Sequence, residues 1–273
     1  MRLIENQNLR GCSSDTTVVL ARHGVDVPIL SKDLNQPLIE ETKPDIKLLG
    51  SQMVCRCRVA NVRQVKIWHS NRLRAIQTAA IVCEQFFNAN MSAEMCETIG
   101  VREIYQGNFR IENHIDGMEY KPLVDAWSAW QKKLDACELL YRFGDPLFYE
   151  DDTAEFPELT GWFTEFGENQ GEFSLRLYTL LERVLMETDN RLQIIIGHQA
   201  SCSRIQRIFS AMNDLKTVEE FNAGEFVRYL EKKGSRVTIE PACGIIVWKP
   251  CRDLALAVLR KEIRYLKSIT GAL

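Results

Sequence analysis

Long apolar runs are missing from this chain. Across 273 residues no hydrophobic stretch approaches the length that spans a bilayer, which sets aside a membrane-spanning helix. A charge excess is missing as well. The 34 Lys and Arg against 37 Asp and Glu leave a net charge of −3. Nucleic acid and anionic membrane are therefore not expected as partners. Metal-ligand spacing is also missing. The 4 histidines form no His-x-x-x-His pair, and the 9 cysteines include Cys55-Arg56-Cys57 but no Cys-x-x-Cys at zinc spacing. No metal and no cofactor are expected. Met1 to Arg10 has no apolar core of the kind a signal peptide needs, and nine is an odd number of cysteines. The expectation is a cytoplasmic protein with free thiols. There is no repeat, low-complexity stretch or evident linker, so residues 1–273 are expected to form one α/β domain with a large core.

What the chain does have is a set of apolar strands that end on chemistry. Thr16-Thr17-Val18-Val19-Leu20-Ala21 reads as a buried strand and runs into Arg22-His23-Gly24. In an open α/β sheet, ligands bind at the carboxyl ends of strands. Arginine matches a planar, multi-oxygen anion such as phosphate, histidine can be nucleophile or proton carrier, and glycine admits a close approach. Lys66-Ile67-Trp68-His69-Ser70 reads as a second strand that leads into a helix with Leu73, Ile76, Ala80 and Cys83 at helical spacing. Ser70 is its expected N-cap, which puts Arg74 in the first turn, within reach of an anion at the helix N-terminus. Leu192 to Gly197 repeats the apolar strand, now ending at His198-Gln199. Val101-Arg102-Glu103 places a carboxylate in a loop-like stretch after the second helix. Of the remaining histidines, His69 reads as structural, with lining of the pocket at the second strand end as its alternative, and His114 reads as a surface residue.

Together these segments resemble the histidine phosphatase superfamily, with its phosphoglycerate mutase-like fold. Arg22-His23-Gly24 is similar to its signature tripeptide, and Ser70 to Ala79 to its Ser-x-Leu-x-Arg-Ala-x-Gln-Thr-Ala segment, with Arg72 where leucine is usual. Val101-Arg102-Glu103 with Gly107 resembles Leu-Arg-Glu-x-x-x-Gly, and Gly171-Glu172-Phe173 resembles Gly-Glu-Ser with the serine replaced. Gly197-His198-Gln199-Ala200 resembles the second histidine motif in its bisphosphatase form. Leu49-Gly50-Ser51-Gln52 resembles the segment that opens the first helix. The family usually follows its glycine with Glu or Gln, then Thr or Ser, and a few residues later an Asn. Here Val25-Asp26 follows and no Asn sits at that offset, so the phosphate pocket would be completed differently.

The resemblance implies a three-layer α/β/α sandwich with a mostly parallel sheet. It also implies that the insertion over residues 104–166, rich in aromatics such as Trp127, Trp130 and Trp162, caps the site. It implies His23, Glu103 and His198 as catalytic residues. Arg22, Gly24, Arg74 and His198 would bind phosphate. The expected activity is metal-independent hydrolysis of a small phosphorylated metabolite through a phosphohistidine on His23. Two alternatives stand beside it. One is a mutase or sugar bisphosphatase with the same intermediate, for which Arg110, Lys121, Lys132 and Arg142 offer cations. The other is a non-catalytic phospho-ligand-binding protein. Finally, Leu256, Leu259, Ile263, Leu266 and Ile269 form one stripe of an amphipathic helix within 251–273. It is expected to pack on the sheet, with pairing to a second copy, a homodimer, as its alternative role.

Overall fold

The computed structural model describes residues 3–4, 17–26, 36–102, 170–187, 191–220, 222–224, 226 and 238–270. The chain divides into two compact units. One comprises Met1–Val27, Asn35–Glu103 and Arg176–Ile263; the other comprises Pro28–Leu34, Ile104–Leu175 and Arg264–Leu273. The first unit holds the sheet. Of the second, only the helical stretches 170–175 and 264–270 are described. The expected cap over 104–166 lies outside the described residues, as does His114.

The elements in chain order are β1 (Leu3–Ile4), β2 (Thr17–Arg22), α1 (Lys43–Val59), β3 (Gln64–Ser70), α2 (Leu73–Asn88), β4 (Ser92–Thr98), α3 (Gln170–Met186), β5 (Arg191–Gly197), α4 (Gln199–Asp214), β6 (Gly244–Trp248) and α5 (Arg252–Thr270). The strands form one six-stranded sheet in the order β1-β6-β2-β5-β3-β4. β2, β5, β3 and β4 run parallel, and β6 pairs antiparallel with β2. This is the mostly parallel α/β sheet the sequence implied.

The central strands are covered on both faces, as parallel sheets require. Val18, Val19, Leu20 and Ala21 of β2 are fully buried, as are Ile194, Ile195 and Ile196 of β5. Alternate residues point to opposite faces. On one face Val19, Ala21, Val65, Ile67, Ile194 and Ile196 join Ile46, Leu49 and Met53 of α1 and Ala79, Val82 and Phe86 of α2 in one cluster. On the other face lies Trp68. Its Nε1–H donates to Gln193 Oε1 at 2.7 Å, and the guanidinium of Arg183, from α3, sits 4.8 Å from its ring centre. Helices thus flank the sheet on both sides, which completes the three layers.

Several boundaries differ from the sequence reading. α1 opens at Lys43, with Pro44 in its first turn, so Leu49-Gly50-Ser51-Gln52 lies in mid-helix. Gly50 there serves packing: a Cβ would come within 2.7 Å of Gln85 Cγ and 3.3 Å of Val82 Cα, both on α2. The buried face of α2 is Arg74, Ala75, Thr78, Ala79, Val82, Cys83 and Phe86, while Leu73 and Ile76 are half-buried and Ala80 is exposed. β4 was not expected. As an edge strand it keeps Glu94 and Glu97 exposed and offers little apolar alternation to read.

Candidate active site

The sheet order brings β2, β5 and β3 side by side, so their carboxyl ends meet although they lie far apart in the chain. His23 follows β2, His198 follows β5, and Ser70 ends β3. The turn after β2 is held from several sides. His23 N–H donates to Gly197 O at 3.1 Å and its carbonyl accepts from Ala242 N–H at 3.1 Å. Gly24 N–H donates to Thr78 Oγ1 at 3.1 Å and Val25 N–H to Thr42 Oγ1 at 3.1 Å. A Cβ on Gly24 would come within 2.7 Å of Ile46 Cδ1 and 2.8 Å of Thr42 Oγ1, so glycine is needed here for room.

His23 is buried, and the hydrogen bond between its Nδ1 and Gly24 O is 2.6 Å long. A carbonyl only accepts, so Nδ1 carries the proton and Nε2 presents a lone pair. Burial first, and then the nearby Arg74 guanidinium, push the His23 pKa down from 6.5 to about 4. The ring is neutral near pH 7. Arg74, in the first turn of α2, is nearly buried and donates its Nε–H to His23 Nε2 at 3.2 Å. Its Nη2 lies 3.4 Å from Nδ1 of the fully buried His198. A guanidinium has no acceptor, so this edge of each imidazole is a lone pair. The other nitrogen of His198, Nε2, is 3.0 Å from Ser70 Oγ. The His23 and His198 rings stand edge to face, with centres 4.8 Å apart.

Ser70 is not the N-cap of α2, a position that Arg72 takes without a capping hydrogen bond from its side chain. Its hydroxyl accepts instead from Arg72 N–H at 3.3 Å and meets His198, so it orients an imidazole as well as closing the turn. His198 is itself anchored: its N–H donates to Ser201 Oγ, which donates in turn to Val101 O at 2.9 Å. That bond brings the end of the Val101-Arg102 segment to the His198 turn. Glu103, the next residue in the expected motif, lies outside the described residues. Arg22 donates from Nη1 to Ile239 O at 3.3 Å, while its buried Nε has no partner among the described residues. A buried N–H of this kind suits an anion. His69 is buried with Nδ1 3.0 Å from Ser70 O.

One group in this cluster was not singled out from the sequence. Asp26 Oδ2 lies 3.5 Å from Arg74 Nε. The only hint was that Asp26 stands where the resembled family carries Thr or Ser. Among the described residues no group of three His, Cys, Asp or Glu side chains is placed to hold a metal ion. No described helix is long and apolar enough to cross a membrane.

No family model and no curated protein matches the sequence. Among solved structures the chain is similar to a phosphoglycerate mutase from Bacillus anthracis, at 16% identity over 90% of this chain and 99% of that one, with a TM-score of 0.46. It is also similar to a mycobacterial glucosyl-3-phosphoglycerate phosphatase complexed with VO3, at 16% identity over 74% of this chain and 83% of that one, with a TM-score of 0.44. In the chain's own residues, two imidazoles from adjacent strand ends converge on one helix-borne arginine.

Proposed function

We propose that this chain is a metal-independent phosphomonoesterase that works through a phosphohistidine on His23. The observation that carries the reading is the fixed tautomer of His23. Its Nδ1 proton is committed to Gly24 O, and its Nε2 lone pair faces the Arg74 guanidinium at the mouth of three strands. A neutral imidazole held this way is a competent nucleophile toward phosphorus.

In the first step Nε2 bonds to phosphorus. The P–O ester bond breaks and its electron pair leaves with the alcohol oxygen, which takes a proton from the Glu103 carboxyl. In the second step Glu103 takes a proton from water as the water oxygen bonds to phosphorus. The P–N bond then breaks, and its pair returns to Nε2. Arg22 and Arg74 stabilise the charge on the equatorial oxygens, His198 holds the Arg74 guanidinium in place, and Gly24 keeps the turn close-packed beside them. Val101, whose carbonyl is tied to the His198 turn, supports the assignment of Glu103 to the same site. The substrate is a small soluble phosphate ester.

The test is phosphate release from a panel of phosphorylated metabolites in excess chelator. Release from at least one monoester, undiminished by chelator, is expected. Activity lost in chelator and restored by one divalent ion would overturn the mechanism.

A further inference from the structure

Arg74 Nε–H faces two acceptors at once, His23 Nε2 at 3.2 Å and Asp26 Oδ2 at 3.5 Å. One N–H cannot serve both fully, and a phosphoryl group brought to His23 Nε2 would claim the same edge of the guanidinium. The carboxylate is not there by accident of a loose loop. Asp26 forms a β-bridge with Leu38, Ile39 N–H donates to Val25 O at 3.0 Å, and Leu38 N–H donates to Gln77 Oε1 of α2 at 2.8 Å. The backbone at Val25 and Asp26 is therefore fixed to the Leu38-Ile39 segment, which is itself tied to α2.

We propose that Asp26 is a built-in competitor for the phosphate site, which must give up Arg74 when a phosphate dianion binds. This rests on the reading of the site as a phosphate site and adds a residue that sets its anion preference. A carboxylate and a dianion around one guanidinium repel. Among the described residues, the other charged or titratable groups in this corner are Arg22 and His23 at the end of β2, Arg74 on α2 and His198 ahead of α4. The Asp26 side chain is one-third exposed, at 33%, so its carboxylate has water to turn to when it leaves Arg74.

The consequence is an anion affinity held down by one like charge at the site. It is read by calorimetric titration of the full chain with inorganic phosphate at pH 8. Wild type is compared with Asp26→Asn and with Asp26→Ser, a residue the resembled family uses at this position. At pH 8 both variants should bind phosphate about tenfold more tightly than wild type, the effect of one nearby like charge. Equal or weaker binding by the two variants, with thermal melts unchanged, would overturn the proposal and make Asp26 a support for Arg74. Failure of folded wild type and both variants to bind phosphate at all would overturn the phosphate-site reading itself.

Discussion

The tautomer and charge of His23 decide what the site can do. With burial and Arg74 holding its pKa near 4, the ring stays neutral through the physiological range. Its Cε1 proton resonance should be flat between pH 8 and 5.5 and move only toward pH 4. A midpoint near 6.5 would mean that neither burial nor Arg74 governs the ring. The sign of the linked stability follows. The folded pKa lies below the unfolded one, so the unfolded chain binds a proton that the folded chain refuses. Stability present above pH 6.5 is lost as pH falls toward 4, and His23→Asn should lessen that acid sensitivity in urea melts. Arg74 is the other decisive residue, since one guanidinium reaches both imidazoles. Arg74→Lys keeps the charge but loses the fork, and kcat should fall by about 10² or more with folding intact. Glu103→Gln should slow release of an alkyl alcohol far more than release of p-nitrophenol, which needs little protonation to depart. Equal losses on both esters would show that Glu103 positions the substrate and donates no proton.

At the scale of elements, the strands that carry the site were the legible ones. β2 and β5 are short, apolar and Val- or Ile-rich, and their ends fall within about a residue of where the pattern puts them. Arg22, His23, Arg74 and His198 could be assigned to a common site because each sits at a strand end or in the helix turn that follows one. What hid was set by contacts distant in sequence. Ser70 resembled a cap because caps are local, whereas its partner His198 lies 128 residues on. The buried face of α2 includes Arg74 and Thr78, polar residues that an apolar-stripe reading skips. Asp26 gained meaning only through Arg74, 48 residues away in sequence and 3.5 Å away in space. Gly24 and Gly50 both sit where the surroundings leave no room for a Cβ. Gly24→Ala and Gly50→Ala each force a Cβ into a filled space and should cost about 1–3 kcal/mol in urea unfolding. A neutral result for Gly50→Ala would mean that α1 and α2 can part freely.

At the scale of the whole molecule, α5 bears on the question of stability or partnership. Ala255, Val258 and Leu259 are fully buried, and the buried Glu262 accepts from Gly224 N–H at 3.0 Å through Oε1. The helix is therefore part of the core, and truncation after Pro250 should leave a chain without a cooperative melt. A truncated chain that melts normally but runs as a smaller species would transfer α5 to a subunit interface. The sheet supplies the larger logic. Its strand order gathers three carboxyl ends, and the site is the place where they meet. Everything proposed for that place depends on one covalent bond, from phosphorus to His23 Nε2. The most direct measurement is to react the protein with a phosphate ester labelled in phosphorus, quench in alkali, where phosphohistidine survives, and map the labelled peptide. The label should be on His23, be released by acid, and be absent from His23→Ala. Label retained by His23→Ala at the wild-type level would contradict the account.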